Sequence, residues 1–477
     1  MSDIFNMYVL TDVHYLSKEL WTEGEPINRR EKGDQIALKI SPEITATFFD
    51  KIIADSEVPN VLITGDLVNC GELISHRDFK RELKRLTDAG KRVYVTTATH
   101  DYCGFGKDGD ENIFSATGYG EKEGYPVEYA DKSESRHLYD EYGPNSADSI
   151  HDESGSYSVS PEKGVRLIAI NDNGNGRSYC GLSDDGFNWL TDEIGKAKKK
   201  GERIMLAVHH PVLPPWEIYR NAAEFEMFGG YERLKKIMCD EGVHVIFTGH
   251  THVQNIQKYE DANGGYFYDV STTALGAARG MMRRVSLRLD DGYCRITSVG
   301  IEKINGIDTS MTAYEYISRL NFIGLLERLI PRISADWDGF IKRAQGFLSV
   351  DSLQKHKAAV QTATKLATEL KMSTLAKFGR KYNGLSRDEI RALKNERAIK
   401  PLFAVLHCIF SGNAPFPPDT VEYKVFCGAL RRADDILNAV GKPPHTFIEG
   451  AGSLYEIAQP FLYNNRTGDD NEAEIYI

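Results

Sequence analysis

Asp12 and His14 stand in YVLTDVHY, Asp66 in VLITGDLV, His100 and Asp101 in VTTATHDY, His209 in MLAVHHP, and His250 and His252 in VIFTGHTH. In each run an apolar stretch of β type ends abruptly on Asp or His. A strand that stops at such a side chain delivers it to the end of a sheet, where several strands can converge on one point. Imidazole and carboxylate are good ligands for divalent transition metals. Residues at i and i+2 share a strand face, so Asp12 with His14, and His250 with His252, can each hold one ion together. The Asp66 carboxylate has two oxygens and can bridge two cations, and Gly65 before it lets the backbone turn sharply. Any one of these residues alone reads as a turn residue or a hydrogen-bonded core histidine. All the runs ending alike point to a metal site. Two cations held together suit the hydrolysis of a phosphate ester, because they can acidify a water and neutralise the phosphoryl oxygens.

The elements that must position these residues alternate. Strands are expected at 7–11, 61–64, 92–96, 165–170, 204–208, 243–248, 266–271, 283–289 and 293–301, with helices at about 42–55, 75–89, 185–199 and 230–241. The early alternation reads as βαβ units and the later part as a hairpin turning at Asp291-Gly292. Mixed sheets flanked by helices are the economical solution. Two polar insertions, at about 16–40 and 102–156, each follow a strand that ends in candidate ligands. Loops that long are usually functional or disordered, and this placement favours facing a substrate. After about residue 308 the strand signal gives way to apolar residues at helical spacing, punctuated by Pro331, Gly384, Gly412 and NAPFPPD. Two domains follow, 1–305 with the ligand-bearing strands and 306–477 as a helical bundle able to cap them.

Bulk properties exclude several classes. No apolar run among the 477 residues has membrane-spanning length, and MSDIFNMYVL shows no secretory signal. Seven scattered cysteines without C-x-x-C favour a reducing compartment, hence a cytoplasmic protein. A net charge of −11 disfavours nucleic acid as partner, although residues 341–400 carry 14 Lys/Arg against 5 Asp/Glu. That basic stretch either steers anionic substrates or forms solvated helix faces.

Taken in order, Asp12-Val13-His14, Gly65-Asp66, Ala98-Thr99-His100-Asp101, His209-His210-Pro211 and Gly249-His250-Thr251-His252 resemble the motifs of the calcineurin-like metallophosphoesterase superfamily. The stretch GDLVNCGELISHRDFKRELKRLTDAGKRVYV is similar to the bacterial class III phosphodiesterase-like branch, some of whose members carry a C-terminal helical domain. The resemblance implies an α/β fold, a four-layer αββα sandwich of two mixed sheets flanked by helices, followed here by an all-α helical bundle. It implies two divalent transition metal ions such as Mn, Fe or Zn. Asp12, His14 and His252 would bind the first metal, Asp66 would bridge, and His209 and His250 would bind the second. His100 would donate a proton, with Asp101 orienting its imidazole. His210 is expected to line the substrate pocket or to bond backbone.

One position departs from the family pattern. Where the family has an Asn whose amide oxygen binds the second metal, this chain has Thr99, a shorter and poorer donor. Thr99, or a water it holds, would then replace the Asn in a weaker second site. The first reading is a phosphodiesterase acting on small, possibly nucleotide-like, phosphoesters with His100 as general acid. The rivals are a phosphomonoesterase, a nuclease, and a binding or scaffold protein with a weakened metal centre.

Overall fold

Short runs of Val, Ile and Leu with both faces apolar make central parallel strands, which need cover on both sides. The computed structural model describes residues 4–103, 115–172, 180–215, 226–321, 336–344, 350–413, 415–443, 452–463 and 469–477, with isolated residues at 324, 330 and 333. Parts of the 102–156 insertion, of NDNGNGRSYC, of NAPFPPD and of the aromatic tail lie outside the described residues.

The first sheet has six strands, in the order β15-β14-β13-β1-β2-β3. These are β1 Ile4–Leu10, β2 Asn60–Thr64, β3 Arg92–Thr96, β13 Met281–Arg288, β14 Tyr293–Gly300 and β15 Glu472–Tyr476. β1, β2 and β3 run parallel, with Met7 opposite Asn60 and Asn60 opposite Arg92. β13 and β14 form the expected hairpin, with Gly292 at φ 77° in its turn.

The second sheet has seven strands, in the order β11-β12-β10-β9-β8-β7-β6. Here β6 is Ser149–Ile150, β7 Tyr157–Val159, β8 Val165–Ala169, β9 Arg203–Ala207, β10 Val245–Thr248, β11 Asn255–Glu260 and β12 Tyr266–Ser271. β8, β9, β10 and β12 are parallel, and β11 returns antiparallel to β12. A small hairpin, β4 Thr117–Tyr119 with β5 Gly124–Pro126, stands apart.

Between the sheets Phe5, Val9, Leu62, Tyr157, Met205 and Phe247 interdigitate. Helices α2 Ser41–Ala54 and α3 Leu73–Asp88 cover the first sheet, placing Phe48, Phe49, Phe79 and Leu83 on Ile63 and Val95. Helices α5 Asp184–Lys199 and α6 Tyr231–Glu241 cover the second, with Leu190, Ile194 and Met238 on Ile168 and Leu206. The four layers are αββα, as the resemblance implied. Two further helices, α1 Glu25–Lys32 and α4 Lys132–His137, lie inside the polar insertions.

Beyond Ala313 the described residues are helical as far as Leu462, around Met372, Ala376, Ile390, Val425 and Phe426. Two backbones touch there at glycines: a Cβ on Gly428 would stand 2.9 Å from the Gly379 carbonyl oxygen. The chain does not end in this layer. β15 brings it back onto β14, Ile475 opposite Cys294, with Ile475 in the inter-sheet core. The return is tied by the buried Arg283, whose guanidinium donates to the Asp470 carbonyl at 2.6 Å and to Ser271 O at 2.7 Å. The Asp470 carboxylate in turn accepts from Asn255 Nδ2 at 2.9 Å and from the Asn413 amide at 2.7 Å. The sequence signal for this strand was only a five-residue alternation, too short to outweigh the helical stretch before it.

Candidate metal centre

β1, β2, β3, β9 and β10 all stop just before a candidate ligand, and their ends share one face of the sandwich. The backbone there is bent in an unusual way. Among the described residues six non-glycine residues have positive φ, and five are Asp12 (50°), His14 (45°), Asp66 (50°), His250 (67°) and His252 (57°). Left-handed backbone disfavours L side chains, so such a cluster persists only where the surrounding structure enforces it. Close hydrogen bonds enforce it here. The Asp12 amide donates to Gly65 O at 3.1 Å, the His14 amide to Asp66 O at 3.0 Å and the Gly249 amide to His209 O at 2.9 Å. Glycine is required at 249, because a Cβ there would lie 2.5 Å from Asp12 Oδ2, which accepts from the His250 amide at 3.0 Å.

The side chains meet. Asp12, His14 and His252 form one group, His14, Asp66 and His100 a second, and Asp66, His209 and His250 a third; ligand atoms within each lie within 4.8 Å of one another. His14 joins the first two groups and Asp66 joins the last two. Asp66 Oδ2 lies 3.0 Å from His209 Nε2 and 3.8 Å from His14 Nε2. Asp12 Oδ1 is buried and takes no hydrogen bond among the described residues. Instead it faces the Nε2 atoms of His252, His14 and His209 at 3.4, 3.7 and 3.8 Å. His14 Nε2 and His252 Nε2 approach to 3.1 Å.

A buried carboxylate oxygen ringed by imidazole nitrogens is a donor set that fits a divalent cation. The electrostatics agree. Burial would raise the Asp12 carboxyl, yet His209, His14 and His252 hold it well below the usual range. Burial would lower His209, but Asp66 and Asp12 push it up to about 10. Both shifts describe a cluster that attracts positive charge.

Groups behind the ligands fix their orientation. His209 Nδ1 lies 2.7 Å from Thr64 O and donates a proton there, so Nε2, 3.0 Å from Asp66 Oδ2, is the ring atom that would meet a cation. His250 is held by its Nε2, 2.6 Å from a Glu226 carboxylate oxygen, which turns Nδ1 inward. Glu226 follows no strand signal and could not be found from sequence. Asp172 could have been, since β8 is another apolar run that ends in Asn171-Asp172.

Three residues differ from expectation in their surroundings. His210 is 1% exposed; its Nδ1 lies 2.6 Å from Asp172 Oδ2 and its ring packs on His250 at 3.9 Å. Its ring is thus buried between a carboxylate and the candidate ligand His250. The Asp101 carboxylate accepts from the amides of Leu67 (2.7 Å), Ala98 (2.8 Å) and Val68 (3.1 Å), bracing two ligand loops. The His100 imidazole is held instead by the Asn69 carbonyl, which receives its Nδ1–H. Thr99 is fully buried in the same turn, Thr99–Asp101, as His100.

Beside this turn a cavity of about 840 Å³ opens, lined by Thr97, Asn171, Arg136, Tyr139 and Glu153 among others. Most of its wall comes from the 102–156 insertion, and none of the candidate ligands lines it.

No curated protein matches the chain. Similar solved structures include a dimetal phosphatase from Danio rerio, at 14% identity and a TM-score of 0.41, covering 62% of this chain and 95% of that one. Purple acid phosphatase PPD1 from yellow lupin (Lupinus luteus) has 14% identity and a TM-score of 0.41, covering 63% of this chain and 52% of its own. The Haemophilus influenzae NAD nucleotidase has 14% identity and a TM-score of 0.32, covering 77% and 61%. The family description that matches is calcineurin-like phosphoesterase, over residues 5–254, a span that begins in β1 and ends two residues after His252. With that match across more than half of the chain, the protein belongs to the calcineurin-like phosphoesterase family.

Proposed function

We propose that the protein hydrolyses phosphate diesters of small, nucleotide-like alcohols with two divalent transition metal ions. Asp12, His14 and His252 would hold one ion, His209, His250 and Thr99 the other, and Asp66 would be shared. When bound, the pair would supply charge neutralisation and an acidified water. The carrying observation is the convergence of two carboxylates and four histidines, most of them on left-handed backbone, in groups linked through His14 and Asp66.

His100 is suited to proton transfer. Its Nδ1–H is fixed on the Asn69 carbonyl, so Nε2 is its reactive atom. Burial lowers the imidazole to about 3, so it waits as the neutral base. An anionic phosphoryl group arriving beside it raises its proton affinity, so Nε2 would take a proton from solvent water and pass it to the departing alkoxide.

Turnover of bis-p-nitrophenyl phosphate and p-nitrophenyl phosphate by the Mn²⁺-loaded protein tests this. Faster cleavage of the diester is expected. Two bound metals with neither ester cleaved would overturn it in favour of a binding protein.

A further inference from the structure

The insertion at 16–40 follows Asp12 and His14 directly, and the chemistry above uses none of it. It is folded around a small core of its own: Leu16, Leu20, Ile27, Ile36 and Leu38 are buried with Tyr119. The Thr22 amide donates to Tyr119 O at 2.9 Å, and the Ala37 amide to Gly276 O at 2.9 Å. That core fixes α1, whose last turn carries Arg30.

Arg30 reaches toward the centre. Nη1 donates to the Asp34 carboxylate and Nη2 to Asn69 Oδ1 at 3.1 Å. Asn69 is also the residue whose carbonyl holds His100 Nδ1–H, so one residue separates the guanidinium from the imidazole. Asp34 borders the other flank. Burial would raise its carboxyl, but Arg30, then His14 and His252, hold it below the usual range. The Arg30 side chain, which also hydrogen-bonds Tyr119, is 31% exposed. An ordinary helical i,i+4 pair on the surface needs neither the buried anchor nor the bond to Asn69.

We propose that Arg30 is a specificity-determining residue that binds an oxygen of the substrate's phosphoryl group on the His100 side of the metal centre. The inference rests on the phosphoesterase reading. A guanidinium presents five N–H donors in a planar fork that matches phosphate oxygens, and it keeps its charge at every working pH. The Asp34 and Asn69 contacts hold the fork in place before the ligand arrives, which lowers the ordering cost of binding.

The test uses the full chain loaded with Mn²⁺. Inorganic phosphate is titrated calorimetrically into wild type, R30Q and R30K, and KM and kcat are measured with bis-p-nitrophenyl phosphate. R30Q should weaken phosphate and raise KM by about ten- to a hundredfold, with metal stoichiometry unchanged and kcat less affected. R30K should recover only part, because an ammonium cannot present the fork. Should R30Q fail to fold, a KM rise of a few-fold or more in R30K supports the contact. Unchanged phosphate affinity and KM in the folded variants would overturn it. If wild type binds phosphate but cleaves neither test ester, the hydrolase reading fails, while the Arg30 contact is still decided by the phosphate titration.

Discussion

The two halves of the candidate centre are held differently. In the half formed by Asp12, His14 and His252, the two imidazoles face each other at 3.1 Å, and His252 Nδ1 is buried with no hydrogen bond among the described residues. Orientation there comes chiefly from the left-handed backbone of all three residues. In the half formed by Asp66, His209 and His250, each imidazole is pinned from behind, by Thr64 O at 2.7 Å and by Glu226 at 2.6 Å. The His210–Asp172 pair is stacked against it. The more tightly braced half is also the one to which the proposal assigns Thr99, where the family has Asn. A weak donor is tolerable when its companions are already oriented, because less entropy is lost on closing around the ion.

Removing the joint between the halves should have the largest effect. Asp66→Asn takes a ligand from both, and kcat/KM should fall by at least about a thousandfold with one or both metals lost by calorimetry. A variant that kept two metals and full activity would separate the halves altogether. His100→Asn leaves both halves intact and should lower kcat by roughly a hundred- to ten-thousandfold for esters with poor leaving groups. Its effect should shrink with p-nitrophenol, which needs little protonation.

Glu226→Gln addresses the bracing itself. It should weaken one metal of the two by about ten- to a hundredfold and leave the other unchanged. Equal weakening of both would erase the distinction drawn between the halves.

His76 sharpens it from another side. It is buried behind the His100 turn, its Nδ1 2.7 Å from the Tyr139 hydroxyl and its Nε2 2.9 Å from Asp101 O. Burial lowers it from 6.5 to about 4. The unfolded chain therefore binds the extra proton between those values, and stability held above pH 6.5 is lost as pH falls toward 4. The loss should be on the order of 2–3 kcal/mol by denaturant unfolding, and His76→Asn should remove most of that slope. The smallest change is Thr99→Asn, which should tighten the second metal and raise activity a few-fold; unchanged stoichiometry and rate would show that Thr99 is already an adequate substitute.

Much of this site was legible before folding because the signal is local. A strand's apolar run and the Asp or His that ends it are adjacent in the chain, so Asp12, Asp66, His209 and His250 could be read as strand-end residues one at a time. The strands that carry them lie within two residues of expectation at most ends, apart from β1, which begins three residues early. β11, following His252 directly, was missed, because its outward residues are polar and its inward ones few. The α1 and α4 helices were hidden in polar, Gly- and Glu-rich sequence, and α1 is anchored through Ile27 on the distant Tyr119.

Residue types and spacing alone marked the Asp and His candidates at strand ends, the alternation of strands and helices, and the switch to helix near residue 308. Only the tertiary structure decided who stands behind each ligand: Glu226 on His250, Asp172 on His210, Asn69 rather than Asp101 on His100, and Arg30 on Asn69. It alone showed that the chain's last strand returns to the first sheet. The reason is physical. A ligand's type is fixed by its own side chain and its position by the strand it ends, whereas its tautomer, charge and orientation are set by atoms that only packing brings within hydrogen-bonding distance.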